Sequence, residues 1–130
     1  MSVFRVTGFD HIVLCVRDVA ETRDFYERVL GMVAREERPG KYSLEFGSNK
    51  ISLQDAATSP DIARDTLPGS GNFCLLSDTP VAEWRTHLAA HGVEIVADGL
   101  RDGATGTIDS LYFKDPDGNL VEVSNLVERR

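Results

Sequence analysis

Apolar residues alternate with polar ones over several short stretches of this chain, and recur at helical spacing over two others. Ile12, Leu14 and Val16 alternate with His11, Val13 and Cys15, which predicts a strand over residues 9–16. Asp18, with Glu21 three positions on, has the form of a capping box. Phe25, Val29 and Leu30 give the buried stripe of the helix that follows, and Gly31 stops it. Residues 33–37, 42–46 and 50–54 read as strands, separated by Pro39-Gly40 and Gly47-Ser48-Asn49. Residues 55–71 lack clear periodicity and predict a connecting loop with room for one helical turn. Residues 72–76 form the next strand. Pro80 opens a second helix with Val81, Trp84 and Leu88 inward, and Gly92 ends it. A strand over 93–96, a glycine-rich loop over 98–106 and a closing hairpin complete the chain. The hairpin runs from Ser110 to Ser124 and turns at Asp115-Pro116-Asp117-Gly118.

The order β-α-β-β-β, linker, β-α-β-β-β is a repeat. A shift of 61 positions carries His11 onto Asn72 and Gly31 onto Gly92, and a shift of 68 carries Gln54 onto Glu122. The expected fold is α+β: one domain over 1–130, with modules at about 8–54 and 72–125 joined by the linker 55–71. Each strand offers one apolar face, suited to the helices, and one face where polar groups gather. A sheet covered by helices on one side only can curl into a cup, and His11, Gln54, Asn72 and Glu122 would converge inside it. Glu122 is the most telling of these. It lies between Val121 and Val123 in a strand that should be at least half buried, where an uncompensated carboxylate costs roughly several kcal/mol.

With 42% apolar and 27% charged residues in 130, the composition is that of an ordinary globular protein. A net charge of −7 without a Lys/Arg cluster argues against a nucleic-acid partner. No apolar run approaches membrane-spanning length and the first residues lack a signal-peptide core, so a cytoplasmic location is expected. Cys15 and Cys74 fall in apolar strands and read as buried free thiols in a reducing compartment. His87 and His91 are four apart on a helix, a spacing that can bind zinc. Beside Gly92, His91 suits the helix C-terminus better.

The β-α-β-β-β repeat, the first-strand His11 and the ending Asp115-Pro-Asp-Gly-Asn-Leu-Val-Glu-Val123 resemble the glyoxalase / bleomycin-resistance / extradiol-dioxygenase (vicinal oxygen chelate) superfamily. Phe25-Tyr-Glu-Arg-Val-Leu-Gly31 is also similar to the family's first helix, and the resemblance runs from Phe9 to Asn125. It implies a glyoxalase-like fold with a divalent metal (Fe, Mn, Ni or Zn) on His11, Gln54, Glu122 and Asn72. Two positions depart from the pattern. Asn72 stands where most metal-dependent members have His, and Gln54 cannot act as a second proton-transferring carboxylate. The resemblance further implies Glu122, Tyr112 and Arg101 as the catalytic set, with Tyr112, Arg101 and Ser110 able to meet an anionic substrate group. Two functions follow. One is a metal-assisted small-molecule enzyme of lyase, dioxygenase or transferase type. The other is a metal-free, ligand-sequestering module of the bleomycin-resistance kind. A homodimer is implied in either case, with the linker long enough to carry the second module to a neighbour's first.

Overall fold

In the computed structural model, which describes residues 4–58 and 63–130, the chain folds as two four-stranded mixed sheets, each crossed by one helix. The first half contributes β1 (Ile12–Val16), α1 (Val19–Leu30), β2 (Val33–Arg38), β3 (Lys41–Phe46) and β4 (Asn49–Asp55). The second contributes β5 (Asn72–Leu76), α2 (Val81–Ala90), β6 (Ala97–Asp102), β7 (Gly106–Lys114) and β8 (Leu120–Arg129). Strand order is β1-β4-β3-β2 in one sheet and β5-β8-β7-β6 in the other. β1 runs parallel to β4 and β5 parallel to β8, while the remaining pairs are antiparallel. The α+β class and the βαβββ repeat are thus as the sequence predicts. Among the described residues, β1 and β5 are each left with one unpaired edge.

Helix ends follow their local chemistry. Asp18 accepts the Glu21 backbone N–H at 3.0 Å, and Gly31 closes α1 in the left-handed region at φ 65°. α1 buries Phe25, Tyr26 and Val29 against Leu14, Val16 and Leu53 from one sheet and Phe113, Val121 and Val123 from the other. Each fully buried side chain of this size stabilises the fold by roughly 1.5–3 kcal/mol. In α2 only Leu88 is fully buried. Val81 and Trp84, expected inward, are half-buried, and the Trp84 indole donates to Ser77 Oγ at 3.0 Å.

Three expectations are corrected here. Residues 93–96 form no strand; β6 lies instead at 97–102, inside the expected glycine-rich loop. The ladder to β7 from Ala97 to Asp102 holds it, and Leu100 stays exposed, so no hydrophobic alternation announces it. His11 precedes β1 and is exposed, because the parallel ladder to β4 starts only at Ile12 and Ile51. Neither cysteine is in a disulfide, but Cys74 is exposed because β5 is an edge strand. Residues 56–58 and 63–71 carry no helix or strand; the rest of the expected linker turn lies at 59–62, outside the described residues.

A buried polar knot joins the two halves. The Tyr26 hydroxyl donates to Asp115 Oδ2 at 2.7 Å, and Asn119 Nδ2 donates to the same oxygen at 2.8 Å. Asp115 Oδ1 accepts the backbone N–H groups of Asp117 and Asn119 at 3.0 and 2.9 Å. Asn119 Oδ1 in turn accepts the Gly71 N–H at 2.7 Å. A side chain at 71 would collide with that oxygen (2.8 Å) and with Leu14 (2.9 Å), so glycine is required where β5 begins. The exposed Arg17 pairs through Nε with the buried carboxylate of Asp117 at 2.8 Å.

Candidate functional site

β7 and β8 converge on one row of side chains. Cys74 stands beside Glu122 in the parallel β5–β8 ladder, and Glu122 beside Tyr112 in the antiparallel β7–β8 ladder. Strand neighbours in register share a face, so the row Cys74–Glu122–Tyr112 crosses the side of the sheet opposite the helices. Glu122 is half-buried. Its Oε2 accepts from Ser110 Oγ and, at 3.3 Å, from Ser124 Oγ. The two serines, both fully buried, lie 2.7 Å apart, so the Ser124 proton goes either to Ser110 Oγ or to the carboxylate. These hydroxyls supply the compensation that a carboxylate between two valines requires.

Burial first, and that charge after it, act on the neighbouring groups. Partial burial, reinforced by Glu122, raises the Cys74 thiol above its ordinary value, against a lowering hydrogen bond from Ser124. Desolvation, then Glu122, raises the Tyr112 phenol, and Arg101 opposes both. The Arg101 guanidinium lies 5.3 Å from the Tyr112 ring centroid and donates to the carbonyls of Leu100 and Asp98 at 2.9 and 3.2 Å. Gly99 makes room for it: a Cβ there would come within 2.9 Å of Arg101 Nη1. No carboxylate pairs with Arg101 among the described residues.

A groove of about 930 Å³ runs between the β1 and β5 edges. His11, Asn72 and Cys74 line it, with Val13, Phe73 and Leu76 among the apolar walls. The His11 ring meets the Asp10 carboxylate at 2.8 Å, and Asn72 is the exposed first residue of β5. Gln54 lies on the other sheet, beside Cys15, and keeps a buried Oε1 with no hydrogen-bond partner among the described residues. Among the described residues of one chain, no three His, Cys, Asp or Glu side chains gather into a metal-sized cluster. His11, Asn72 and Cys74 therefore line one groove, whereas Glu122, Tyr112 and Arg101 lie outside its lining and Gln54 belongs to the face of the first sheet.

Register also realigns the repeat. Val13 pairs with Ser52, and Cys74 pairs with Glu122. With His11 matched to Asn72, Val13 matches Cys74, which makes Ser52, not Gln54, the counterpart of Glu122. Gln54 stands two residues further along the same face. The triplets Ile51-Ser52-Leu53 and Val121-Glu122-Val123 carry this match in the sequence, apolar–polar–apolar in both. Ser124 and Cys74 were also open to discovery there, since they share strand parity with Glu122 and Asn72 respectively.

His87 and His91 hold structural places. His87 Nε2 meets the Val29 carbonyl at 2.8 Å and His91 Nδ1 meets Arg28 at 3.0 Å, so each ring already has one nitrogen engaged.

Comparison with known proteins bears on this geometry. Residues 8–123 match the family model Glyoxalase/Bleomycin resistance protein/Dioxygenase superfamily. The chain is 41% identical over 125 residues to virulence protein STM3117 of Salmonella typhimurium, covering 94% of this chain and 86% of that protein. The crystal structure of STM3117 superposes with a TM-score of 0.90. VPC_CASS1, from the mobile metagenome of V. Pseudocholerae, is 37% identical with a TM-score of 0.92, over 98% of this chain and 100% of its own. A lactoylglutathione lyase from Agrobacterium tumefaciens is 26% identical with a TM-score of 0.71, over 92% of this chain and 94% of its own.

Proposed function

Because the chain belongs to the Glyoxalase/Bleomycin resistance protein/Dioxygenase superfamily, we propose that it is a divalent-metal-assisted enzyme acting on a small molecule. The observation that carries the reading is Glu122. It is a half-buried carboxylate held by serine hydroxyls, in a row with Tyr112 and with Cys74, which lines the same groove as His11 and Asn72.

The donor chemistry fits a cation. Imidazole and carboxylate are good ligands for Fe, Mn, Ni or Zn, and the Gln54 amide oxygen, without a partner among the described residues, is a weaker one. A cation held by His11 and Glu122, helped by Gln54 and Asn72, would polarise a carbonyl or diol oxygen of the substrate. Ser110 and Ser124 hold the Glu122 carboxylate in place. Tyr112 and Arg101 present a hydroxyl and a guanidinium on the same face, which suits an anionic substrate group.

We take the working unit to be a homodimer in which the first module of one chain meets the second module of the other. The free edges of β1 and β5 and the exposed Val13 and Leu76 support this assembly. Light scattering at micromolar concentration should give twice the chain's 14.3 kDa; a mass near one chain sinks the shared site.

Asn72 favours a second reading, a metal-free cup that sequesters an apolar ligand, because an amide replaces a strong nitrogen donor. Metal analysis of protein purified without chelators, followed by titration with Mn, Fe, Ni and Zn, separates the two. The enzyme reading expects a saturable site for at least one of these ions, and binding of none overturns it.

A further inference from the structure

We propose that Cys74 supplies the donor missing at Asn72, so that the cation is held by the Cys74 thiolate together with the Glu122 carboxylate. The inference rests on the metal-assisted reading above and assigns it a ligand. Cys74 and Glu122 are register partners on adjacent strands and share a face. Cys74 Sγ lies 3.3 Å from Ser124 Oγ, and the same hydroxyl lies 3.3 Å from Glu122 Oε2, so thiol and carboxylate converge on one group. Cys74 is exposed and in no disulfide, and it lines the groove that His11 and Asn72 also line. It follows Asn72 by two residues, so both side chains leave β5 on one face.

The chemistry of the donor set agrees. A neutral amide is a poor ligand for a borderline cation, whereas thiolate is among the strongest. On coordination the S–H bond breaks, its proton passes to solvent, and the sulfur lone pair forms the metal bond. Within one chain Cys74 and Glu122 supply two donors; a third, His11, would have to come from the first module of the other chain in the proposed dimer, which would give the count typical of catalytic zinc sites. Such a set prefers Zn(II) or Co(II) to Mn(II).

Cobalt reports the sulfur directly. Reduced wild-type protein titrated with Co(II) should develop a near-ultraviolet thiolate-to-cobalt charge-transfer band. Cys15→Ser should keep that band. Cys74→Ser should lose it and bind Co(II) about tenfold or more weakly, a scale set by losses at metal-site partners. Zn(II) should also protect Cys74 of the wild type from alkylation, a readout that needs no variant. Co(II) binding without the band, or a band that survives in Cys74→Ser, overturns the thiolate and leaves the metal reading intact. Absence of any Co(II) binding overturns both.

Discussion

Glu122→Ala is expected to weaken divalent-metal binding by about a hundredfold or more, and His11→Ala to do the same. Loss of mere outer-sphere partners of a ligand costs on the order of 10–100-fold, and removing a ligand costs more. The fold should tolerate the glutamate change. Ser110 and Ser124 lie 2.7 Å apart and keep one bond between them, so deleting the carboxylate leaves a single hydroxyl proton without its acceptor, at a cost of about 1–3 kcal/mol. Asn72→His should act in the opposite direction. Asn72 begins β5 at the groove, and an imidazole there restores the ligand that most metal-dependent members of the superfamily carry. Calorimetry with Ni(II) or Zn(II) on the three variants checks the set. Unchanged affinity in Asn72→His would mean that position 72 does not face the cation, and unchanged affinity in Glu122→Ala would remove the site altogether.

The second large effect is on stability. Asp115→Ala should cost about 4 kcal/mol, because it strips partners from the fully buried Tyr26 hydroxyl and Asn119 amide and from two backbone N–H groups. Each buried group left unsatisfied costs roughly 1–3 kcal/mol. For a chain of this size that is a fall in melting temperature of roughly 15 °C. The knot also gives an alkaline signature. Burial, and next the Asp115 charge, push the Tyr26 phenol far above the ordinary tyrosine range. The folded state therefore holds that proton more tightly than the unfolded chain does. The resulting stability is whole below the unfolded value near pH 10 and is lost as pH rises above it, by up to about 1.4 kcal/mol per unit. Tyr26→Phe should flatten this part of the stability profile, as denaturant melts between pH 9 and 11 would record. A decline just as steep in Tyr26→Phe would place its origin elsewhere.

Much of this architecture is legible in the sequence because burial and backbone geometry leave separate marks. Asp18 and Gly31 bracket α1 through a side-chain cap and a left-handed turn, both local effects. The hairpin around Asp115-Pro116-Asp117-Gly118 is legible for the same reason. β6 is not, because an edge strand held by its ladder and left exposed at Leu100 needs no hydrophobic alternation. Glu122 stands out as a charge in an apolar strand, yet its hydroxyl partners come from β7 and from its own strand, and only pairing reveals that they meet. The choice between Gln54 and Ser52 illustrates the limit: counting positions across two loops cannot fix register, whereas the pairing of Val13 with Ser52 does. Tyr26 lies beside the stripe formed by Phe25 and Val29, and its importance depends on an aspartate 89 residues away.

That separation makes the order of synthesis matter. Every ladder of the first sheet closes within residues 12–55, so this half can pair its strands as soon as it leaves the ribosome. Tyr26 and Phe25 must then wait for Asp115 and Phe113. At roughly 5–20 residues per second the wait is about 4–18 s, during which α1 shows an unmatched aromatic face. The nascent first half is thus the stage at which a chaperone, or the same half of a neighbouring chain on one messenger, has its best opportunity to bind.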